Sequence, residues 1–258
     1  MGFQFDLNKI KWQLDSNKLP EAVYKLKVPS VTTIINESIP DPEWDEFVRK
    51  VGKERADQIL TSAGNRGSAM HIFIETFLET YSKTHDISEA LRVTQEESPK
   101  ILRSDNIPED KINEGRDLFY KFYYSEYPNR YINIIAIELR IYSPSLFYRG
   151  KLDVLYNDSL YGISLSDLKS SNGRIKKNSV KEIKYFYQLG AYVNALEEMY
   201  AQKNLKVNRA SILCVDKNTD IIQEIELNGE RLVEYKEKFK ELAKEYHIKI
   251  GQDYLIKK

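Results

Sequence analysis

The feature that most restricts how this chain can fold is a single change of hydrophobic period near residue 130. Before it, Met70, Phe73, Ile74, Phe77 and Tyr81 recur at helical spacing and define one apolar stripe. After it, residues 131–142, 149–157 and 160–168 are β-branched and aromatic runs, with Asn157-Asp158 as a turn signal between the last two. The pattern predicts strand and loop over residues 1–40, helix over 41–81, a polar and weakly patterned stretch over 82–105, and helix over 109–127, ending at Pro128. Beyond the three strands it predicts a Lys-rich loop, a helix over 180–200, and a hairpin of 209–216 with 220–227. A last helix from about Glu230 carries Leu232, Tyr235, Phe239, Leu242 and Tyr246. The expected class is α/β, a central mixed β-sheet flanked by helices, with a helical insertion before the sheet. A length of 258 residues suits one domain over 1–258: a strand/loop region (1–45), a helical part (46–130), and the sheet core with the C-terminal helix (131–258).

Charge and cysteine content narrow the function classes. The 39 Lys+Arg balance 39 Asp+Glu, so any polyanion site must come from local clustering of basic residues. One cysteine, Cys214, excludes an intrachain disulfide framework, a four-cysteine zinc site and a cysteine-held iron–sulfur cluster, and fits a reducing cytosol. The N-terminal MGFQFDLNKIKWQLD lacks the apolar core of a signal peptide, Asp6 stands where a myristoylation signal wants Ser or Thr, and no apolar run nears the ~18 residues of a membrane span. The expectation is a cytoplasmic protein, not secreted and with no membrane partner.

The informative cluster is Asp153 in one strand followed by Asp167-Leu168-Lys169 in the next. Period-2 geometry sends Asp167 and Lys169 to one face, at the end of the predicted strand. A hairpin pairing of the two strands would let Asp153 and Asp167 converge there. Two converging carboxylates without thiolates suit a hard cation, Mg²⁺ or Mn²⁺. A neighbouring lysine can orient a water or stabilise charge on a phosphate, which are the parts of metal-assisted phosphodiester hydrolysis. The alternative from these residues alone is a surface aspartate and an exposed Asp-x-Lys pair.

Asp153, the 13-residue gap and Asp167-Leu168-Lys169 resemble the metal-binding core of the PD-(D/E)XK nucleases. Arg66-Gly67-Ser68-Ala69-Met70-His71 is similar to the G-x-x-x-H motif of the RecB-type branch, and Tyr187-Gln188-Leu189-Gly190-Ala191-Tyr192 to its Q-x-x-x-Y motif. Gly150-Lys151-Leu152-Asp153 matches the G-x-x-D form that replaces Pro-Asp, and Glu138 falls in a strand where the family often has an acid. Pro29 to Ile34 and the Trp44-to-His71 stretch look like single-strand exonucleases typified by mitochondrial genome maintenance exonuclease, although no mitochondrial presequence is evident. The resemblance covers about residues 28–200.

It implies a restriction-endonuclease-like core and a metal-dependent DNA exonuclease that prefers single strands and leaves 5′-phosphate and 3′-hydroxyl ends. Asp153, Asp167, the Leu168 carbonyl and His71 would hold the metal; Lys169 and Glu138 would complete the catalytic set. Gln188 and Tyr192 would contact DNA or the catalytic centre, with Arg66 and Ser30 also at the DNA. Residues 82–130 would help enclose the strand. Partners in replication or recombination would accord with that activity.

Arg174, Lys176, Lys177, Lys181 and Lys184 follow the catalytic lysine against only Glu182, and with Ser170, Ser171 and Tyr185 they form a candidate phosphate-backbone contact. The same run can equally be a solvated loop. His71 can be a packing histidine, Glu75 one turn later its partner or simply exposed. Tyr120, Tyr124 and Tyr127 can stack on bases, or sit in the core or at a plain surface. The competing functions are a duplex-end recombination exonuclease or structure-specific endonuclease, a silent DNA-binding module, and a protein-binding domain.

Overall fold

The computed structural model describes residues 27–131 and 133–251. Five strands form one sheet in the order β1 (Ile134–Ser143), β2 (Tyr148–Asp158), β3 (Gly162–Ser171), β4 (Arg209–Asp216) and β5 (Ile222–Asn228). β1, β2 and β3 pair antiparallel, β3 and β4 parallel, and β4 and β5 antiparallel, so the sheet is mixed. The parallel step needs a crossover, and α7 (Val180–Met199) supplies it. Ahead of the sheet come α1 (Val31–Ser38), α2 (Pro42–Val51), α3 (Lys53–Thr84), α4 (Ile87–Ser104), α5 (Glu109–Tyr123) and the short α6 (Tyr127–Arg130); α8 (Gly229–Lys249) follows β5. This is the expected α/β architecture, and the restriction-endonuclease-like core lies between two helical layers. One apolar cluster joins α1, α7 and α8 to the sheet through Ile34, Leu189, Leu165, Ile212 and Phe239. The other joins α3 and α5 to it through Phe73, Phe119, Leu168 and Leu213.

Four local expectations are corrected. Residues 31–38 form a helix, not strand or loop: Ser30 Oγ accepts from Thr33 N at 3.0 Å, and Val31, Ile34 and Ile35 bury one face. The first 26 residues of the expected strand/loop region lie outside the described residues. Residues 82–105 contain the 18-residue α4, whose buried positions Ala90, Thr94 and Ser98 are small or polar, so that with Pro99 and Leu102 they leave only a weak hydrophobic stripe to read. The helix expected over 109–127 ends at Tyr123, and Pro128 sits in the first turn of α6 instead of stopping a helix. β3 runs on to Ser171, because pairing with β4 continues through Lys169↔Cys214 and Ser171↔Asp216. Asp167 and Lys169 are thus inside a strand, not at its end.

Candidate active site

The β2–β3 ladder ends at Val154↔Ser166. The next rung belongs to Asp153 and Asp167, and there the Asp153 carboxylate replaces a backbone partner: Oδ2 accepts from Leu168 N at 2.5 Å. Both aspartates are buried, 5% and 1% exposed, which is costly for carboxylates unless they are paired. Lys169 forms an ion pair with Asp167. On the other side α3 brings His71 against the same strand, with Nε2 2.8 Å from the Leu168 carbonyl oxygen and Nδ1 3.5 Å from Asp153 Oδ1. Gly67, one helical turn earlier, lies close to β3, where a Cβ would stand 3.3 Å from Ser170 Oγ. The glycine of the G-x-x-x-H spacing thus sits where α3 is packed tightly on the strand, one turn before the histidine.

The electrostatics of the four groups are interlocked. Burial alone would lower the His71 pKa, but the Asp153 carboxylate reverses this by charge and hydrogen bonding, and the pKa is raised. Burial would raise Asp153; His71 and Lys169 hold it below the usual carboxylate range. Asp167 is pushed up to about 6 by burial, which the Lys169 ammonium opposes and Asp153 reinforces. Lys169 is raised, because the charges of Asp167 and Asp153 outweigh its desolvation.

Glu138 enters from β1. Its neighbours pair as Ile137↔Val154 and Leu139↔Leu152, which sets Glu138 opposite Asp153. Its φ is +54°, a left-handed conformation that a residue with a Cβ adopts at a cost. Ligand atoms of His71, Glu138 and Asp153 all lie within 4.8 Å of one another. One imidazole nitrogen and carboxylate oxygens, with the Leu168 carbonyl beside them, form a donor set that fits a divalent cation and lacks soft ligands. A cleft of about 550 Å³ opens over His71 and Glu138, lined also by Gly67, Glu75, Asp105 and Lys151. Glu75, half-buried, has its pKa raised by burial and by Glu79.

Behind the carboxylates stands a positioning chain. Gln188 Nε2 donates to Asp167 Oδ1 at 3.2 Å and to the Tyr192 hydroxyl at 2.8 Å. Both residues are 5% exposed, and through Gln188 they are tied to the Asp167 carboxylate. Gly150 makes room for the Tyr192 ring, since a Cβ there would lie 2.9 Å from Cε1. The remaining expected DNA contacts are scattered. Arg66 is buried, with Nη1 3.7 Å from Glu114 Oε2, and Ser171 is buried. Ser170 lies beside Gly67. Arg174, Lys176 and Lys177 line a separate cavity with Glu182 and Gln223. Lys184 pairs with Asp41 at 3.3 Å, Lys181 is exposed, and Tyr185 packs half-buried on the core. Ser30 caps α1 and bridges to Arg149. Sequence reasoning missed Lys151, which pairs with Glu138; the signal was its place two residues before Asp153, on the same strand.

A buried Asp–Asp–Lys cluster on adjacent strands, with a helical histidine, defines a family of hydrolases. The model of the PD-(D/E)XK nuclease superfamily matches residues 46–253, and the chain belongs to that superfamily. Its members use divalent metals and act on nucleic acid. Among solved structures, a Eubacterium rectale protein named "Putative exonuclease" is 16% identical, with a TM-score of 0.41 over 68% of this chain and 67% of that one. The protein SSO0001 is 12% identical, with a TM-score of 0.36 over 96% of this chain and 86% of that one. No curated protein matches the chain. No helix among the described residues is long and apolar enough to cross a membrane.

Proposed function

We propose that the protein is a metal-dependent DNA exonuclease of the RecB-like type, acting on single strands with Mg²⁺ or Mn²⁺ and leaving 5′-phosphate and 3′-hydroxyl ends. The observation that carries this is that His71 meets both Asp153 and the Leu168 carbonyl, that His71, Glu138 and Asp153 offer ligand atoms within 4.8 Å of one another, and that Asp167, on the rung of Asp153, pairs with Lys169. Asp153, Asp167, His71 and the Leu168 carbonyl would hold the ion, and Glu138 would add a further carboxylate. The bound ion supplies charge neutralisation at the phosphate and acidifies a water. Lys169 is kept protonated by its two carboxylate neighbours, so it orients the attacking water and stabilises charge on the phosphoryl oxygens. Gln188 fixes the rotamer of Asp167, and Tyr192 fixes Gln188. The cleft between α3 and the turn at Asp105–Ile107 supports a single strand as substrate.

The test is digestion of single-stranded and duplex oligonucleotides labelled at either end, with each metal, by wild type, Lys169→Ala and Asp167→Ala. Metal-dependent shortening that falls at least a hundredfold in both variants is expected. Binding without cleavage under every condition would leave a silent DNA-binding fold, and internal cuts would point to an endonuclease on the same core.

A further inference from the structure

A second cavity of about 240 Å³ adjoins the cleft and shares one wall with it, Lys151. It is lined by Ser30, Thr32, Arg140, Arg149, Lys151 and Tyr192, together with Val31 and Gly150. The cations stand on alternate rungs of the β1–β2 hairpin: Arg140 pairs with Lys151 and, two rungs on, Tyr142 with Arg149. Asp153 is two residues on from Lys151 on β2, and same-face residues on a strand are about 7 Å apart, so the pocket begins two rungs from that carboxylate. Arg149 is fixed at both ends of the segment it clamps: its N–H donates to the Pro29 carbonyl and its Nε to the Val28 carbonyl, each at 3.0 Å. That clamp seats the first turn of α1 on the hairpin. Ser30 Oγ lies 2.9 Å from Thr32 Oγ1, and the leading amides of a helix favour an anion.

Three cations, two hydroxyls and a helix start line a space with room for an oxyanion. Glu138, on the same hairpin, pairs with Lys151. We propose that this pocket is a phosphate-binding subsite, which grips a phosphate of the bound strand next to the bond being cut. The inference rests on the nuclease reading for its role, while its chemistry, an oxyanion held by Arg140, Arg149, Lys151 and the Thr32 hydroxyl, stands without it. Lys151 links the two cavities, so an anion in the pocket draws the ammonium away from Glu138 and leaves that carboxylate to the metal.

The experiment measures binding of a fluorescent oligothymidylate in EDTA, where no cleavage can occur, across 50–200 mM salt, for wild type, Arg140→Gln and Thr32→Val. Inorganic phosphate serves as competitor, and thermal melting checks that each variant folds. Arg140→Gln should weaken binding about tenfold and flatten the log–log salt slope by roughly one, the loss of one phosphate contact. Thr32→Val should weaken binding severalfold with the slope intact, and millimolar phosphate should displace the strand from wild type more readily than from Arg140→Gln. Unchanged affinity and slope in Arg140→Gln overturn the proposal. Phosphate binding to wild type with oligonucleotide binding unmoved by either variant would mean that the pocket takes a free anion, and overturns its role on the strand. Loss of these effects alongside intact metal-dependent cleavage would sink the subsite and leave the nuclease reading standing; the reverse pattern would do the opposite.

Discussion

At the scale of single residues, two side chains are held in states that the metal-free protein would not choose for stability. Asp167 carries a pKa of about 6 against an ordinary 3.8. Between those values the folded protein keeps a proton that the unfolded chain has released. The metal-free protein should therefore lose stability as pH rises through about 4 to 6, and Asp167→Asn should flatten that part of the profile. Urea midpoints at pH 4.5, 5.5 and 6.5 measure this; a wild-type profile parallel to that of Asp167→Asn would refute the assignment. Glu138 is the second case. Left-handed backbone costs a residue with a Cβ on the order of 1 kcal/mol relative to glycine. Glu138→Gly should raise stability by about that amount in EDTA while weakening Mn²⁺ binding at least tenfold, read by melting and by calorimetry. In the sequence Asp153 stands out as a charge inside an apolar strand, whereas Asp167 and Lys169 stand out through the motif they complete with it. The strain at Glu138 and the burial of Gln188 and Tyr192 were not legible there, since a φ angle and a neighbour 21 residues away leave no local trace.

At the scale of elements, capping explains both what could be read and what could not. α7 was legible from end to end because Ser179-Val180-Lys181-Glu182 is a capping signature: Ser179 Oγ accepts from Glu182 N at 3.2 Å, and Glu182 Oε2 accepts from Asn178 N at 2.6 Å. Since this helix carries Gln188, Ser179→Ala should cost about 1 kcal/mol in chemical denaturation and slow cleavage only slightly. A loss near zero would mean that the crossover packing alone sets the start of the helix. α1 and α4 were hidden for opposite reasons. The β-branched run Val31-Thr32-Thr33-Ile34-Ile35 has strand composition, and a cap overrides it. α4 buries Thr94 and Ser98, whose hydroxyl and small volume suit close packing on α3 yet count as polar in any hydropathy pattern.

At the scale of the whole molecule, a formal net charge of zero means that no general field draws a polyanion in. Attraction must come from a few clustered cations, so the salt slope for a single strand should reflect about three phosphate contacts. Binding should then fall roughly 10- to 20-fold between 50 and 200 mM salt, far less than for a strongly basic nuclease. A titration showing no change over that range would exclude phosphate gripping altogether. The same arrangement explains why the order of layers was readable: each switch of period in the sequence marks a change of layer, and layers are what periodicity reports.

Every acidic group of the centre, with its lysine, falls between Glu138 and Lys169, on three consecutive antiparallel strands. The helical part lends that stretch one imidazole and the far wall of the cleft. The acids and the far wall of the cleft are therefore written on separate lengths of chain. Because Gly115 and Phe119 of α5 pack on the helix that carries His71, that wall is free to change at the turn Asp105–Ile107, and a change deeper in residues 82–130 would be felt at the imidazole.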